Sequence, residues 1–174
     1  MANGYFSILP KSDDVIKLQQ SFNTRPLLDQ WRAPEFLFDD MGNKKARKPS
    51  VRMLGGGFAF RSDLKSLLFP GANDNIEFLP ISVSAESWTV ANCLNATDSY
   101  DAEKSIFYRD LDGTIFMIIH AVFTDSNLTE KDIFVIEDSN RAFLFALPQF
   151  RDRILKLSVE GVIFREIGSL EPKP

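Results

Sequence analysis

The chain has 174 residues, of which 44% are hydrophobic and 25% charged, and its formal net charge at pH 7 is -4. A chain of this length suits one domain, residues 1–174, and can bury roughly 70% of the surface that it exposes when unfolded. The hydrophobic share excludes a disordered protein. Because phosphates require a basic face, the acidic balance also argues against a nucleic-acid partner.

Two residue types that occur only once limit the chemistry and the compartment. Cys93 is the only cysteine, which excludes an internal disulfide and a cysteine-based zinc site and favours a reducing compartment. His120 is the only histidine. The start, MANGYFSILP, has no basic leader and only a short apolar run ended by Pro10, so it predicts neither a signal peptide nor a membrane span. We therefore expect a cytoplasmic protein.

The first third of the chain predicts short elements separated by polar segments. Residues 5–9 (YFSIL) and 34–40 (PEFLFDD) are typical of strands, and 13–20 (DDVIKLQQ) of a short helix. The triple glycine at 55–57 is followed by Phe58, not by the Gly-Lys-Ser/Thr that ends a phosphate-binding loop. We therefore expect a flexible joint at this position.

One short helix is predicted at 61–70 (RSDLKSLLFP). Ser62 is suited to cap its free backbone amides, and Leu64, Leu67 and Leu68 recur on one face. This face would pack on the core.

The rest of the chain is dominated by β-rich runs. Strands are predicted at 76–83, 87–94, 105–110, 114–123, 132–137, 141–147 and 162–167, and a helix at 147–157. Short connections of this kind join antiparallel neighbours. The sequence therefore predicts an α+β fold, in which a mainly antiparallel sheet, a meander, has a few short helices packed against it.

The connection at 92–105 (NCLNATDSYDAEKS) is rich in acidic and amide side chains. A calcium loop would require alternating carboxylates and a glycine at its sharp turn, and Asp98, Asp101 and Glu103 do not have that spacing. Asn and Asp side chains also bond nearby backbone amides and hold turns between strands. We favour a turn, and keep a partner-binding edge as the alternative; no metal is expected.

The reactive side chains do not form a recognisable nucleophilic site. His120 lies in FMIIHAVF, where strand alternation places it on one face with Phe116 and Ile118 and predicts a core or sheet-face residue. The charges near Cys93 are carboxylates, which disfavour its thiolate.

Paired charges are the remaining candidates for chemistry. Asp39 with Asp40, and Asp110 with Asp112, could serve acid and base catalysis, but adjacent acids are common in turns. The basic segment at 43–48 (NKKARK) has no interleaved aromatic residue for base stacking, which favours a mobile, solvated loop. Because these residues assemble no active site, we expect a binding protein without a catalytic residue or a cofactor.

The order of features from residue 55 to 167 resembles the immunity protein family eleven of bacterial polymorphic toxin systems, once classed as a domain of unknown function. The resemblance rests on FRSDLKSLL, IEFLPISV, WTVANCLNATDSYDAEKSI, DIFVIEDSNRAFLFALPQFRDRIL and EGVIF. It does not extend to the N-terminal portion, 1–54. The residues that fall on the family pattern are Trp88, Asn92, Asp101, Ser105, Ile106, Phe134 and Gly161 to Phe164.

The resemblance implies a small cytoplasmic protein that binds and neutralises a secreted toxin, with no activity of its own. Toxins paired with this family look to be often nucleases, so a basic partner is expected, which the acidic balance fits. In the turn, Asn92 and Asp101 would hold the connection while Asp98, Tyr100 and Glu103 face the toxin. Asp39 and Asp40 are further candidates for this contact. The alternatives are a small hydrolase that reverses a toxin's modification and a non-catalytic adaptor.

Overall fold

The computed structural model describes residues 4–12, 25–71, 74–139 and 143–171. Strands dominate these ranges: β1 Ser7–Pro10, β2 Glu35–Asp39, β3 Val51–Leu54, β4 Gly57–Arg61, β5 Ile76–Val83, β6 Glu86–Cys93, β7 Ala96–Thr97, β8 Ile106–Arg109, β9 Ile115–Phe123, β10 Ile133–Ile136, β11 Leu144–Ala146 and β12 Gly168–Leu170. The α-helices of the described ranges are α1 Lys65–Leu68 and α2 Pro148–Lys156. The predicted helix at 13–20 lies outside the described residues.

The strands form one six-stranded and two three-stranded sheets. The larger sheet has the order β1-β2-β5-β6-β4-β3, and the smaller ones are β11-β10-β7 and β12-β9-β8. The pairs β2 with β5, β7 with β10, and β9 with β12 are parallel, and the other pairs are antiparallel. The α+β architecture and the predominance of antiparallel pairs agree with the sequence prediction. The sheets are mixed, however, so they do not form the expected antiparallel meander.

The physical reason for the mixed sheets lies in the connections. A short turn joins the antiparallel pair β8–β9, and β10 pairs antiparallel with β11, as predicted. Between β9 and β10, however, the segment TDSNLTEKD forms a 3₁₀ turn at Ser126–Glu130, and β10 pairs in a different sheet from β9. Each parallel pair is separated by a long stretch of chain, as a crossover between parallel strands requires.

The large sheet is covered on both faces. Strand alternation sends Phe58 and Phe60 of β4 to one side and Ala59 to the other. The first side forms an aromatic core with α2, in which the Phe58 and Phe150 rings lie 5.5 Å apart edge to face. The second side is centred on the fully buried Trp88. A third cluster fills the space between the β8–β9 hairpin and β10–β11.

Three local predictions differ from the structure. The glycines at 55–57 form the tight β3–β4 turn and the start of β4, in place of a flexible joint. Ser62 makes no capping bond, because its hydroxyl lies 2.8 Å from the hydroxyl of Thr89. Leu67 is 51% exposed, since a 3₁₀ turn at Ser62–Leu64 precedes α1 and changes which side chains share a face.

The last predicted strand is displaced along the chain. Residues 162–167 make no strand pairs, and β12 begins at Gly168. Val162 and Phe164 instead pack against the aromatic core. Gly168 permits the pairing because a Cβ there would lie 1.7 Å from the carbonyl oxygen of Ala121.

Candidate partner-binding surface

The connection before β8 is built around Asp101. The Asp101 side-chain oxygen accepts the backbone N–H groups of Glu103 and Lys104 at 3.0 and 3.2 Å, and its own N–H donates to Val122 at 2.8 Å. The Ser105 hydroxyl accepts the N–H of Val122 at 3.0 Å. Both residues fasten the connection to the end of β9, which gives them an architectural role.

Tyr100 lies in a polar cluster beside this turn. Its ring packs edge to face on Phe107, with centroids 4.8 Å apart, and its hydroxyl bonds to the side chains of Asp138 and Arg109. Arg109 also forms a 3.0 Å ion pair with Asp138. Tyr100 is half-buried, so its contacts lie mainly within the chain.

Asp98 and Glu103 are exposed carboxylates of the same connection. The side chain of Asp98 accepts a long hydrogen bond of 3.4 Å from the Ser99 hydroxyl. Neither carboxylate forms an ion pair within the described parts of the chain. Both therefore keep an uncompensated negative charge at the surface.

Asp39 and Asp40 hold a separate turn at the end of β2. The Asp39 side chain accepts the N–H of Met41 at 2.6 Å, and the Asp40 side chain accepts that of Gly42 at 2.8 Å. Because β2 belongs to the six-stranded sheet and the Asp101 connection adjoins β9, the two acidic groups belong to different sheets. No contact among the residues described joins them.

Asn92 is almost fully buried and anchors a distant segment. Its side-chain amide donates to the Glu77 carboxylate at 3.1 Å and to the carbonyl of Arg25 at 3.2 Å. Glu77 also accepts the N–H groups of Leu27 and Leu28, each at 2.8 Å at the closest oxygen. Asn92 thus holds the chain at 25–28 against β5 and β6.

Two further residues of the family pattern, Trp88 and Gly161, are also structural. Trp88 lies in the core, where its indole N–H has no hydrogen-bond partner among the described residues. Gly161 has a φ of +116°, and a Cβ there would lie 2.1 Å from the carbonyl oxygen of Val51. These positions shape the fold and offer nothing to a ligand.

The reactive side chains lie apart from one another. The Cys93 thiol is buried and donates to the carbonyls of Asn95 and Ile133. His120 is on a sheet face but exposed, with no hydrogen bond that would orient it as a base within the described residues. In the residues described, no group of three or more His, Cys, Asp or Glu side chains is arranged to hold a metal ion.

In the carboxylate pair at the β8–β9 turn, the Asp112 side chain is hydrogen-bonded to the backbone of the turn. Asp112 accepts the N–H of Thr114 at 2.9 Å, and this hydrogen bond holds the pKa of the Asp112 carboxyl below its ordinary value. The N–H of Gly113 donates to the carbonyl of Asp110 at 3.0 Å. An acid with a lowered pKa stays ionised at neutral pH and is a poor proton donor.

The basic segment at 43–48 is largely exposed, as its sequence predicted, and two of its cations are paired with acidic side chains. Arg47 forms a 2.8 Å ion pair with Glu160 and donates to the Tyr5 hydroxyl at 2.6 Å. Lys48 pairs with Glu86. Because acidic partners already compensate two of its cations, the loop is poorly suited to bind phosphates.

One surface depression in the described part of the chain is polar and is held by internal hydrogen bonds. Its volume is about 540 Å³, and it is lined by Phe69, Pro70, Gly71, Thr129, Glu130, Asp132, Gln149 and Arg153. Arg153 donates to Asp132 at 2.9 Å and to the carbonyl of Leu68 at 2.6 Å. The charged pair of this depression is therefore occupied, since Arg153 bonds both to Asp132 and to the backbone.

The sequence analysis missed an exposed apolar surface on the β8–β9 hairpin. The register shifts twice along the pair, so that Ile119 and Phe116 of β9 have no partner on β8. These two bulges turn extra apolar side chains outward. We call the six exposed side chains of this surface the hairpin outer face: Ile106, Tyr108, Phe116, Met117, Ile119 and His120.

Comparison with known proteins leaves the family open. No family model matches the chain, and no curated protein is significantly similar to it. The resemblance to the immunity family therefore stays a prediction. None of the helices in the described ranges has the length and apolar composition needed to cross a membrane.

Proposed function

We propose that the protein is an immunity protein, which binds and neutralises a cognate bacterial toxin in the cytoplasm by stoichiometric contact. The observation that carries the proposal is the hairpin outer face, with uncompensated carboxylates beside it. Monomers rarely expose contiguous apolar patches larger than a few hundred Å², and the largest patch on a monomer is often functional. A binding protein needs such a patch, whereas an enzyme needs an oriented acid, base or nucleophile.

The charges around this surface support a basic partner, for which a nuclease toxin is the proposed example. Glu103, Asp110 and Asp112 are exposed, while the two cations of the same segment, Lys104 and Arg109, are paired with Glu171 and Asp138. The local field is therefore negative. Opposite potentials raise the association rate and select the partner, and apolar anchors supply affinity.

The proposal predicts protection at one equivalent. A purified toxin domain encoded next to this gene would be titrated with the protein, and its residual activity measured. We expect inhibition to be complete near a 1:1 ratio and proportional to the amount added below it. Complete protection at a hundredth of an equivalent would identify an enzyme, such as a hydrolase that reverses the toxin's modification, and the absence of any complex would refute the immunity function.

The acidic turn gives a second measurement on the same pair. Changing Asp98 and Glu103 together to Lys should weaken toxin binding at least tenfold in calorimetry, because the substitutions bring cations to a basic partner. The matched control is the pair Asp74→Lys and Glu130→Lys, two exposed carboxylates that form no ion pair among the described residues. An unchanged affinity for the first pair would remove the turn from the interface.

A further inference from the structure

We propose that the hairpin outer face is the docking surface itself, and that its occupant is a basic protein presenting apolar side chains flanked by lysine or arginine. This inference rests on the proposed function in one respect only, that the chain acts by binding another protein. In this arrangement the residues of β8 and β9 contribute most of the binding free energy, and the acidic turn forms the rim of the contact.

The strand register decides which side chains point outward. Residues opposite each other in an antiparallel pair share a face. Phe107 lies opposite Ile118, and both belong to the third core cluster, whereas Tyr108 lies opposite Met117 and both are exposed. One side of the hairpin is therefore core and the other is surface.

The outward side of the hairpin carries neighbouring exposed apolar side chains, whereas exposed apolar residues on most protein surfaces are scattered singly. Tyr108 is 52% exposed and Phe116 48%, and their ring centroids lie 6.3 Å apart. With the other four side chains, the face presents on the order of 500 Å², a size that often marks a functional surface. Tyrosine, phenylalanine and methionine are residue types enriched where proteins meet.

The carboxylates lie at both ends of this face. Glu103 comes shortly before β8, and Asp110 and Asp112 lie in the turn that joins β8 to β9. None of the three forms an ion pair within the described residues. A partner that covers the face thus meets negative charge on two sides, which favours lysine or arginine around its own apolar segment.

A second copy of the chain fits this arrangement poorly. A symmetric pair would bring the same patch of each copy together, and with it the carboxylates of both rims. Like charges at close range oppose association, so the rim selects against self-pairing and for a basic partner.

Site-specific photo-crosslinking in the producing cell tests this surface and its occupant together. A benzophenone amino acid replaces Phe116 in one strain and Leu37 in the control strain, because Leu37 is similarly exposed, at 46%, on β2 of the other sheet. Crosslinked products are identified by mass spectrometry. We expect position 116, and not position 37, to capture one basic protein.

The captured protein is then purified and its affinity measured by calorimetry. Tyr108→Ser with Phe116→Ser should weaken binding about 100-fold, since aromatic anchors at the centre of an interface contribute most of its energy. Leu37→Ser and Leu155→Ser, on other elements, should change it less than threefold. The melting temperature of each variant checks folding, and Met117→Glu, which buries an unpaired carboxylate within the apolar face, should weaken binding independently.

The outcomes separate this inference from the proposed function. A basic toxin captured at position 116 supports both. A basic protein without toxin activity supports the docking surface and refutes the immunity function. Equal yields at positions 116 and 37, capture of an acidic protein or of a second copy, or unchanged affinity of the double serine variant would overturn the docking surface.

Discussion

Removing the Glu77 carboxylate should detach the segment at 25–28 from the large sheet. Glu77 accepts the backbone N–H groups of Leu27 and Leu28 and the side-chain amide of Asn92. Glu77→Ala leaves Asn92, which is 1% exposed, with one partner in place of two. A buried donor without its acceptor costs about 1–3 kcal/mol, and hydrogen bonds to a charged group are at the upper end.

The loss in the free energy of unfolding depends on how well water can solvate each N–H group that no longer has Glu77 as its acceptor. Leu28 is exposed and its N–H can be solvated, so we assign most of the loss to Leu27 and Asn92. We expect Glu77→Ala to lower the free energy of unfolding by about 3 kcal/mol and Asn92→Ala by about 2 kcal/mol. The double variant should lose about 4 kcal/mol, less than the sum, because the hydrogen bond between Asn92 and Glu77 is lost only once.

Urea unfolding at pH 7, followed by circular dichroism, measures these differences. Glu103→Ala is the matched control, since that exposed carboxylate forms no ion pair among the described residues, and it should change the free energy of unfolding by less than about 0.5 kcal/mol. A loss below about 1 kcal/mol for Glu77→Ala, or strict additivity with Asn92→Ala, would refute the view that the two side chains act as one anchor.

Two further predictions concern the C-terminal part. Gly161→Ala should lower the free energy of unfolding by more than about 3 kcal/mol, because its φ is +116° and the new Cβ would meet the carbonyl of Val51. Gly113→Ala, with a φ of +87° and open space around it, should lower it by only about 1 kcal/mol. Equal losses in thermal or urea unfolding would contradict the steric argument. A hydrogen bond from Lys104 holds the pKa of Glu171 below its ordinary value, so this contact stabilises the fold above about pH 4 and is lost as the pH falls through the lowered pKa. Carbon-detected NMR titration should show that lowered pKa of Glu171 in the parent protein and a higher one in Lys104→Ala, where only the hydrogen bond from Ser169 still lowers it. An ordinary pKa in the parent would exclude the contact.

The sequence pattern predicted a strand accurately where all side chains on one face of that strand lie in the same environment, either core or solvent. The run at 76–83 coincides with β5, and the helix predicted at 147–157 contains α2, with Phe150 and Ile154 buried as its spacing required. Pairing partners were less predictable, because they depend on where a connection directs the chain. Nothing in TDSNLTEKD distinguishes a hairpin loop from the turn at Ser126–Glu130 that moves β10 into another sheet.

The candidate surface was missed for a related reason. A strict period of two places Phe116, Ile118 and His120 on one face of β9, yet Ile118 is buried while the other two are exposed. Two bulges change the period: residues 115, 118 and 121 point inward, and the pairs between them point outward. A run such as TIFMIIHAVF has an apolar residue at almost every position, so its composition is compatible with either arrangement. The packing of β8 against β9 decides which side chains reach the surface, and with them where a partner can bind.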